Sequence, residues 1–215
     1  MKIIPVAELE SSHPPFDAIC QVLSQSGLVC FPVGGAYRIL ADGLSEKAVD
    51  RLLVSKRRTT RAPSLLLIGD RKMLSLVAAE VCPVRQKLIE RFWPGPLTLL
   101  VPPHPQLPAN LRRSLTGRTG RVGVRQAEHA LLCQLLRRFG RPLLCSSANP
   151  ESRRGASSPA QVRKNFFGKV EIFVDAGDLA PAEVSTVVDV KDGKAVVTRP
   201  GAVSAQSLAE VCGAG

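Results

Sequence analysis

Apolar residues along this 215-residue chain switch repeatedly between helical spacing, three or four residues apart, and short unbroken runs. In "FDAICQVLSQSG", Phe16, Ile19, Val22 and Leu23 share one helical face, and Gly27 supplies a stop. The unbroken "LVCFP" that follows predicts a buried strand. Ser45 is placed to N-cap "EKAVDRLLVSK", whose inward stripe is Ala48, Val49, Leu52 and Leu53. "PSLLLIGD" predicts a strand, "RKMLSLVAAEV" and "VRQKLIERFW" predict helices, and "PLTLLVP" predicts a strand closed by proline. The alternation continues with "RVGVR" as strand, "AEHALLCQLLRRFG" as helix, "RPLLCSS" as strand, and "SPAQVRKNFFG" as helix. In that last segment Ser158 is the N-cap and Pro159 takes the first position. Three strand candidates, "VEIFVDAG", "STVVDV" and "KAVVTRP", and a helix in "SAQSLAEVC" complete the series.

Alternating strands and helices predict an α/β fold. Within "VDVKDGKAVV", Asp192-Gly193 supplies turn chemistry for a hairpin, so the last two strands are expected to pair antiparallel. No repeat or low-complexity linker divides the series. Residues 1–215 are therefore read as a single domain with a twisted mixed sheet, parallel and antiparallel, flanked by helices. "MKIIPVAELESSHPPF" breaks its apolar stretch at Pro5 and then turns acidic, unlike a signal peptide, and neither a membrane span nor a membrane partner is expected. Six cysteines without a CxxC pair, mostly in apolar runs, predict buried reduced thiols in a cytoplasmic protein.

Charge changes this picture. Lys and Arg number 29 against 18 Asp and Glu, a formal net charge of +11, which favours an anionic partner. The densest basic stretch, "SKRRTTRAP", gathers Lys56, Arg57, Arg58 and Arg61 near Arg51; it suits either a nucleic-acid surface or a pocket for a small anion. Several familiar chemistries lack their residues. "TGRTGRVGV" has no P-loop lysine and serine, no GxSxG elbow occurs, and His13, His104 and His129 have no metal-ligand spacing. Cations and hydroxyls collect instead at predicted element ends: Lys56 and Arg58, then Arg125, then Ser146, Ser147 and Asn149, then Ser185, Thr186 and Arg199. Guanidinium forks, a compact ammonium and small hydroxyls recognise phosphate and carboxylate, and open α/β sheets bind ligands beyond strand ends.

Taken in order, "KRR", "RFWPGPLTLLV", "RVGVR", "RPLLCSSAN", "STVVDV" and "VTRPGA" resemble the segments of the YrdC/TsaC family of threonylcarbamoyl-AMP synthases, over roughly residues 16 to 203. The resemblance implies a YrdC-like domain that converts L-threonine, bicarbonate and ATP, with Mg²⁺, into threonylcarbamoyl-AMP and pyrophosphate. The product would serve N6-threonylcarbamoyladenosine formation in tRNA through a threonylcarbamoyl-transferase machinery. It implies catalytic roles for Lys56 and Arg58, facing the triphosphate and the carboxylated intermediate, with Arg57 turned elsewhere. Ser147, Asn149 and Arg199 would join Lys56 and Arg58 in binding ATP, and Tyr37, Arg125, Cys145 and Ser185 would bind threonine. "WPGPLT" is read as a rigid turn feeding a strand, with Thr98 structural. In the implied mechanism a threonine carbamate attacks the α-phosphate, so alignment and charge neutralisation replace a covalent nucleophile.

The chain departs from the family's Pro-Thr-x-Thr-x-Tyr-Gly-Leu segment. "FPVGGAYRIL" has Val33 and Gly35 in place of the threonines and Arg38 in place of glycine, while Tyr37 stays. Each lost hydroxyl bond is worth about 0.5 to 1.5 kcal/mol. Thr59 and Thr60 stand where a proline is usual. Two classes stay open. An active synthase, the preferred reading, rests on the joint presence of Lys56, Arg58, Ser147, Asn149, Ser185 and Arg199. A catalytically degenerate relative that binds double-stranded RNA or tRNA rests on the net charge, the altered segment and arginines 57, 61, 112, 113, 118 and 121.

Overall fold

The computed structural model describes residues 1–11, 14–56, 63–149 and 156–213. Its ten-stranded sheet runs in the order β1 (Lys2–Pro5), β8 (Ile172–Asp175), β2 (Val29–Val33), β3 (Ala36–Asp42), β7 (Leu143–Ser147), β4 (Leu65–Ile68), β6 (Val122–Gln126), β5 (Leu97–Val101), β9 (Thr186–Lys191) and β10 (Lys194–Arg199). β1 and β2 pair parallel with β8, as do β4 with β6 and β5 with β9; the remaining pairs are antiparallel, so the sheet is mixed as expected.

Helices cover one face of the sheet and, as far as β4, the other, which is why most of its strands read as continuous apolar runs rather than alternating ones. On one face α1 (Val6–Ser11), α2 (Pro14–Ser24) and α6 (Ala130–Phe139) bury Leu9, Phe16, Ile19, Leu132 and Leu136 against Phe31, Leu40, Leu67 and Leu143. On the other, α3 (Glu46–Ser55), α4 (Pro83–Phe92), α5 (Ala109–Thr116), α7 (Pro159–Phe166) and α8 (Ala205–Cys212) pack with Ile39, Leu66, Leu99, Val124 and Leu144. The first of these clusters draws its strand residues from β1, β8, β2, β3, β7 and β4 only. Past β4, that face is left for other use.

Local signals act as their chemistry predicts. Ser45 accepts from the Ala48 amide at 3.2 Å and Ser158 from the Gln161 amide at 3.3 Å, and Ala48, Val49, Leu52 and Leu53 are buried. Asp192 and Gly193 both have positive φ, 49° and 74°, and join β9 to β10.

Other expectations need correction. "RKMLSLVAAEV" is not an α-helix; only Arg71–Leu76 coils, as a 3-10 segment capped by Asp70. Ala78 then bridges to Pro103 and the Ala79 amide donates to the Pro102 carbonyl at 3.3 Å, so pairing beside the exit of β5 takes the backbone groups a helix would need. Of the thiols, Cys30 and Cys145 are buried and the other four are half-buried. β1, α1 and α5 carry too short an apolar pattern to be seen in advance. β3 was hidden by its turn: Gly34 (φ 57°) and Gly35 (φ 72°) form the two-residue, positive-φ connection that makes β2 and β3 a hairpin.

A candidate active-site cleft around the end of strand β7

Consecutive strand side chains face opposite ways. In β7, Ser146 shares the face of Leu144, toward α3, and Ser147 shares that of Cys145. Lys56, at the C-terminus of α3, reaches the strand end from the first side. Its Nζ donates to Ser146 Oγ at 2.8 Å, the Ser147 carbonyl at 2.7 Å and Asn149 Oδ1 at 3.3 Å. From the other side comes Arg38 of β3, paired in register with Ser147, whose Nη1 donates to Ser147 Oγ.

The segment 176–185 joins β8, near one edge of the sheet, to β9 near the other, and crosses the cleft on its way. Its start is pinned by Tyr37. The buried phenol donates to the Gly177 carbonyl at 2.6 Å, accepts from the Ala176 amide at 3.0 Å and meets Phe173 edge-on; burial pushes its pKa up to about 12. Gly35 lets the middle lie close, since a Cβ there would stand 2.4 Å from the Ala180 carbonyl oxygen. The end is pinned at Ser185, whose hydroxyl lies 3.0 Å from Thr98 Oγ1. Arg199 Nη2 donates to the Ser185 carbonyl at 2.8 Å and to its Oγ at 3.0 Å. Gly201 makes this possible, because a Cβ would fall 2.3 Å from the Val184 carbonyl oxygen. Trp93 closes the preceding turn by donating from Nε1 to the Leu97 carbonyl at 2.7 Å.

Two adjoining cavities result, sharing Gly34, Arg38, Ser147, Ala182 and Val184 as a common wall. The outer one, about 830 Å³, extends past Asn149, Ser157, Gln161 and Lys164. The inner one, about 370 Å³, is lined by Arg38, Arg125, Cys145, Ser185 and Arg199, with Glu128 and His129 exposed at its rim.

Three guanidiniums line the inner cavity, against two exposed carboxylates, Glu128 and Glu183, at its rim. None of Arg38, Arg125 and Arg199 forms an ion pair with a carboxylate among the described residues. Burial lowers the Arg125 pKa against the opposing influence of Cys145 and Glu128, with Arg38 adding to the depression. Burial also lowers that of Arg199, helped by Arg38 and Arg125. The Arg125 Nε is buried with no hydrogen-bond partner among the described residues. Burial pushes the Cys145 thiol up despite Arg38, Arg125 and Lys56 nearby, so it is neutral and adds no negative charge. Such a pocket is built for an anion.

The structure thus brings Lys56, Ser147 and Asn149 together, and groups Arg125, Cys145 and Ser185 in the inner cavity. Arg199, expected with the nucleotide group, lines the inner cavity instead because its guanidinium is bonded to Ser185. Tyr37 lines neither cavity; with Ile39 and Ala41 it points to the opposite face of β3, so its part is to fix the segment that walls the cleft. Arg58, with Arg57, Thr59, Thr60 and Arg61, lies outside the described residues. Arg38 was visible in the sequence only as a departure, yet the strand alternation that buries Tyr37 and Ile39 places it on the cleft face. Ala182, Val184, Glu128 and His129 carry no motif that would have marked them.

A family profile named Sua5_yciO_yrdC and described as "Telomere recombination" matches residues 21–201. A threonylcarbamoyl-AMP synthase of Pyrococcus abyssi (strain GE5 / Orsay) is 32% identical over 191 residues, 89% of this chain and 55% of that protein. A threonylcarbamoyl-AMP synthase of Bacillus subtilis (strain 168) is 27% identical over 206 residues, 96% of this chain and 59% of the relative. The chain therefore spans somewhat more than half the length of these two relatives. Among solved structures, P. abyssi Sua5 complexed with L-threonine superposes with a TM-score of 0.84 at 28% identity, covering 98% of this chain and 60% of that one.

Proposed function

The chain belongs to the Sua5, YciO and YrdC family, and we propose that it is a threonylcarbamoyl-AMP synthase, joining L-threonine, bicarbonate and ATP with release of pyrophosphate. The observation that carries this reading is the pair of adjoining cavities: a small cationic one and a larger one meeting at Ser147 and Arg38. A volume of about 370 Å³ suits an amino acid and about 830 Å³ suits a nucleotide.

In the proposed arrangement Arg125 meets the threonine carboxylate, with Ser185 and Cys145 beside the side chain and Arg199 supplying further positive charge. Ser147 and Asn149 face ATP in the outer cavity. Lys56 holds both from behind and places its charge one hydrogen bond behind the cavity wall. Arg58, two residues on, is proposed to join it at the triphosphate. Threonine enters as a zwitterion. Its amine bonds to the carbon of bicarbonate, water and one proton leave, and a carbamate remains. A carbamate oxygen then attacks the α-phosphorus of ATP, and the bond to pyrophosphate breaks. The two reactants are both anionic, so the cleft contributes mainly by aligning them and neutralising their repulsion.

Mg²⁺ is proposed to arrive with ATP as part of the substrate. The described residues contain no group of three or more His, Cys, Asp or Glu side chains that would hold an ion of their own, and the step above is not routed through one. The adenylate is proposed to pass to a transferase that modifies tRNA.

The test is product formation from α-labelled ATP. The reading expects labelled threonylcarbamoyl-AMP only when threonine and bicarbonate are both present. No adenylate under conditions where the P. abyssi synthase makes it contradicts the reading.

A further inference from the structure

Taking the synthase reading as its basis, we propose that Arg38 is a third anion-binding group, one that receives the carbamate at the junction of the two cavities. Arg38 belongs to both lining sets. It is the charged residue of β3 that lines the cleft, half-buried and held by Ser147 Oγ from its register partner on β7. That single bond uses one of the five guanidinium protons.

Charge balance gives Arg38 its role. Three guanidiniums face a cavity whose two carboxylates, Glu128 and Glu183, are exposed at the rim and form no ion pair with them, and Arg125 Nε lacks a hydrogen-bond partner among the described residues. A threonine zwitterion answers this poorly, since its one carboxylate is offset by an ammonium that the cations repel. Carboxylation of the amine changes the bound molecule from neutral to dianionic. RNH₃⁺ and HCO₃⁻ give RNHCOO⁻, H₂O and H⁺, with one N–C bond made, one C–O bond broken and the proton released to solvent. Arg125 then holds the original carboxylate, and Arg38 holds one carbamate oxygen. The second carbamate oxygen is left facing the outer cavity, where attack on the α-phosphorus displaces pyrophosphate. The intermediate would otherwise fall apart to threonine and carbon dioxide. Binding it as a dianion between two guanidiniums shifts that equilibrium toward the species that reacts.

The test needs no turnover. N-oxalyl-L-threonine, whose amide nitrogen is not basic, is a stable dianion with its second carboxylate one bond beyond the carbamate position. Calorimetric titration of the wild-type protein is expected to show at least about tenfold tighter binding of this probe than of L-threonine. In Arg38→Ala the preference is expected to fall to within about threefold, with L-threonine affinity little changed. Arg38→Gln, which keeps bulk and a donor but no charge, is expected to behave the same way, so a loss of folding in one variant does not decide the matter. An unchanged preference in both variants, or none in the wild type, overturns the proposal. In the active enzyme, Arg38→Ala is expected to lower kcat about 100-fold at a threonine KM within about threefold of wild type, with partial rescue by added guanidinium ion. The two readings fail separately. A protein that makes adenylate but shows no Arg38-dependent preference keeps the synthase and loses this role, whereas one that makes none but shows the preference keeps the dianion site and loses the synthase.

Discussion

The two halves of the cleft hold their positive charge in opposite ways. On the outer side, Lys56 is buried and donates to Ser146, the Ser147 carbonyl and Asn149. On the inner side, Arg38, Arg125 and Arg199 line one cavity without forming an ion pair with a described carboxylate, and Arg125 keeps a buried donor unused among the described residues. The lysine is satisfied within the protein itself. The arginines, beyond the bonds of Arg38 to Ser147 and of Arg199 to Ser185, leave donors for something that enters. Stability and function should therefore separate between the halves, coinciding at Lys56 and opposing each other at Arg125.

Breaking the outer half is expected to have the largest effect. Lys56→Ala removes the charge and strands three acceptors at the end of β7, so adenylate formation should fall about 100-fold or more, and the melting temperature should drop as well. Lys56→Arg is expected to recover the charge without the geometry, giving partial activity; equal rates for wild type and Lys56→Ala would remove Lys56 from the site.

Arg125→Met tests the contrast from the inner side. Replacing a desolvated, partly unpartnered guanidinium with an apolar chain should leave the melting temperature unchanged or raise it, while the threonine KM rises about 10-fold or more. A destabilised variant with an unchanged KM would mean that Arg125 is structural.

Gly35 sets how closely segment 176–185 lies on the cleft. Gly35→Thr restores a residue of the family's segment, but it meets φ 72° and a carbonyl oxygen 2.4 Å away. We expect a loss of about 1–3 kcal/mol in a urea melt, with no gain in threonine binding. A stable variant that binds threonine more tightly would show that the missing hydroxyl, rather than the close approach, matters there.

Tyr37 bears on the comparison most weakly. Its phenol pKa is raised from 10.0 to about 12 by burial, so its neutral form is favoured in the folded state. That contribution is complete below pH 10 and is lost as the pH rises through about 12. Tyr37→Phe should cost about 1 kcal/mol at neutral pH and remove this part of the alkaline decline, measured by urea midpoints across pH. An identical alkaline profile in the variant would place the titrating group elsewhere.

The sequence revealed the outer half more readily than the inner. Helix caps, apolar stripes and the Asp192-Gly193 turn are local, and a hydroxyl-rich strand end after "RPLLC" is visible as a motif. The cationic cavity is assembled from β3, β6, β10 and the connection before β9, which become neighbours only through sheet order. Arg38 illustrates the difficulty. Without recognition of Gly34-Gly35 as a hairpin turn, β3 is not a strand, and nothing states which face its charge takes. Tyr37 shows the reverse: resemblance points it toward the ligand, but the alternation of β3 sends it into the core.

The account stands on two anions being held together in adjoining cavities and joined there. Exchange of labelled pyrophosphate into ATP measures this directly, because it requires reversible formation of the adenylate. The account predicts exchange that depends on both threonine and bicarbonate and is lost when either is withheld. Exchange without threonine, or none where the P. abyssi synthase supports it, would contradict the account.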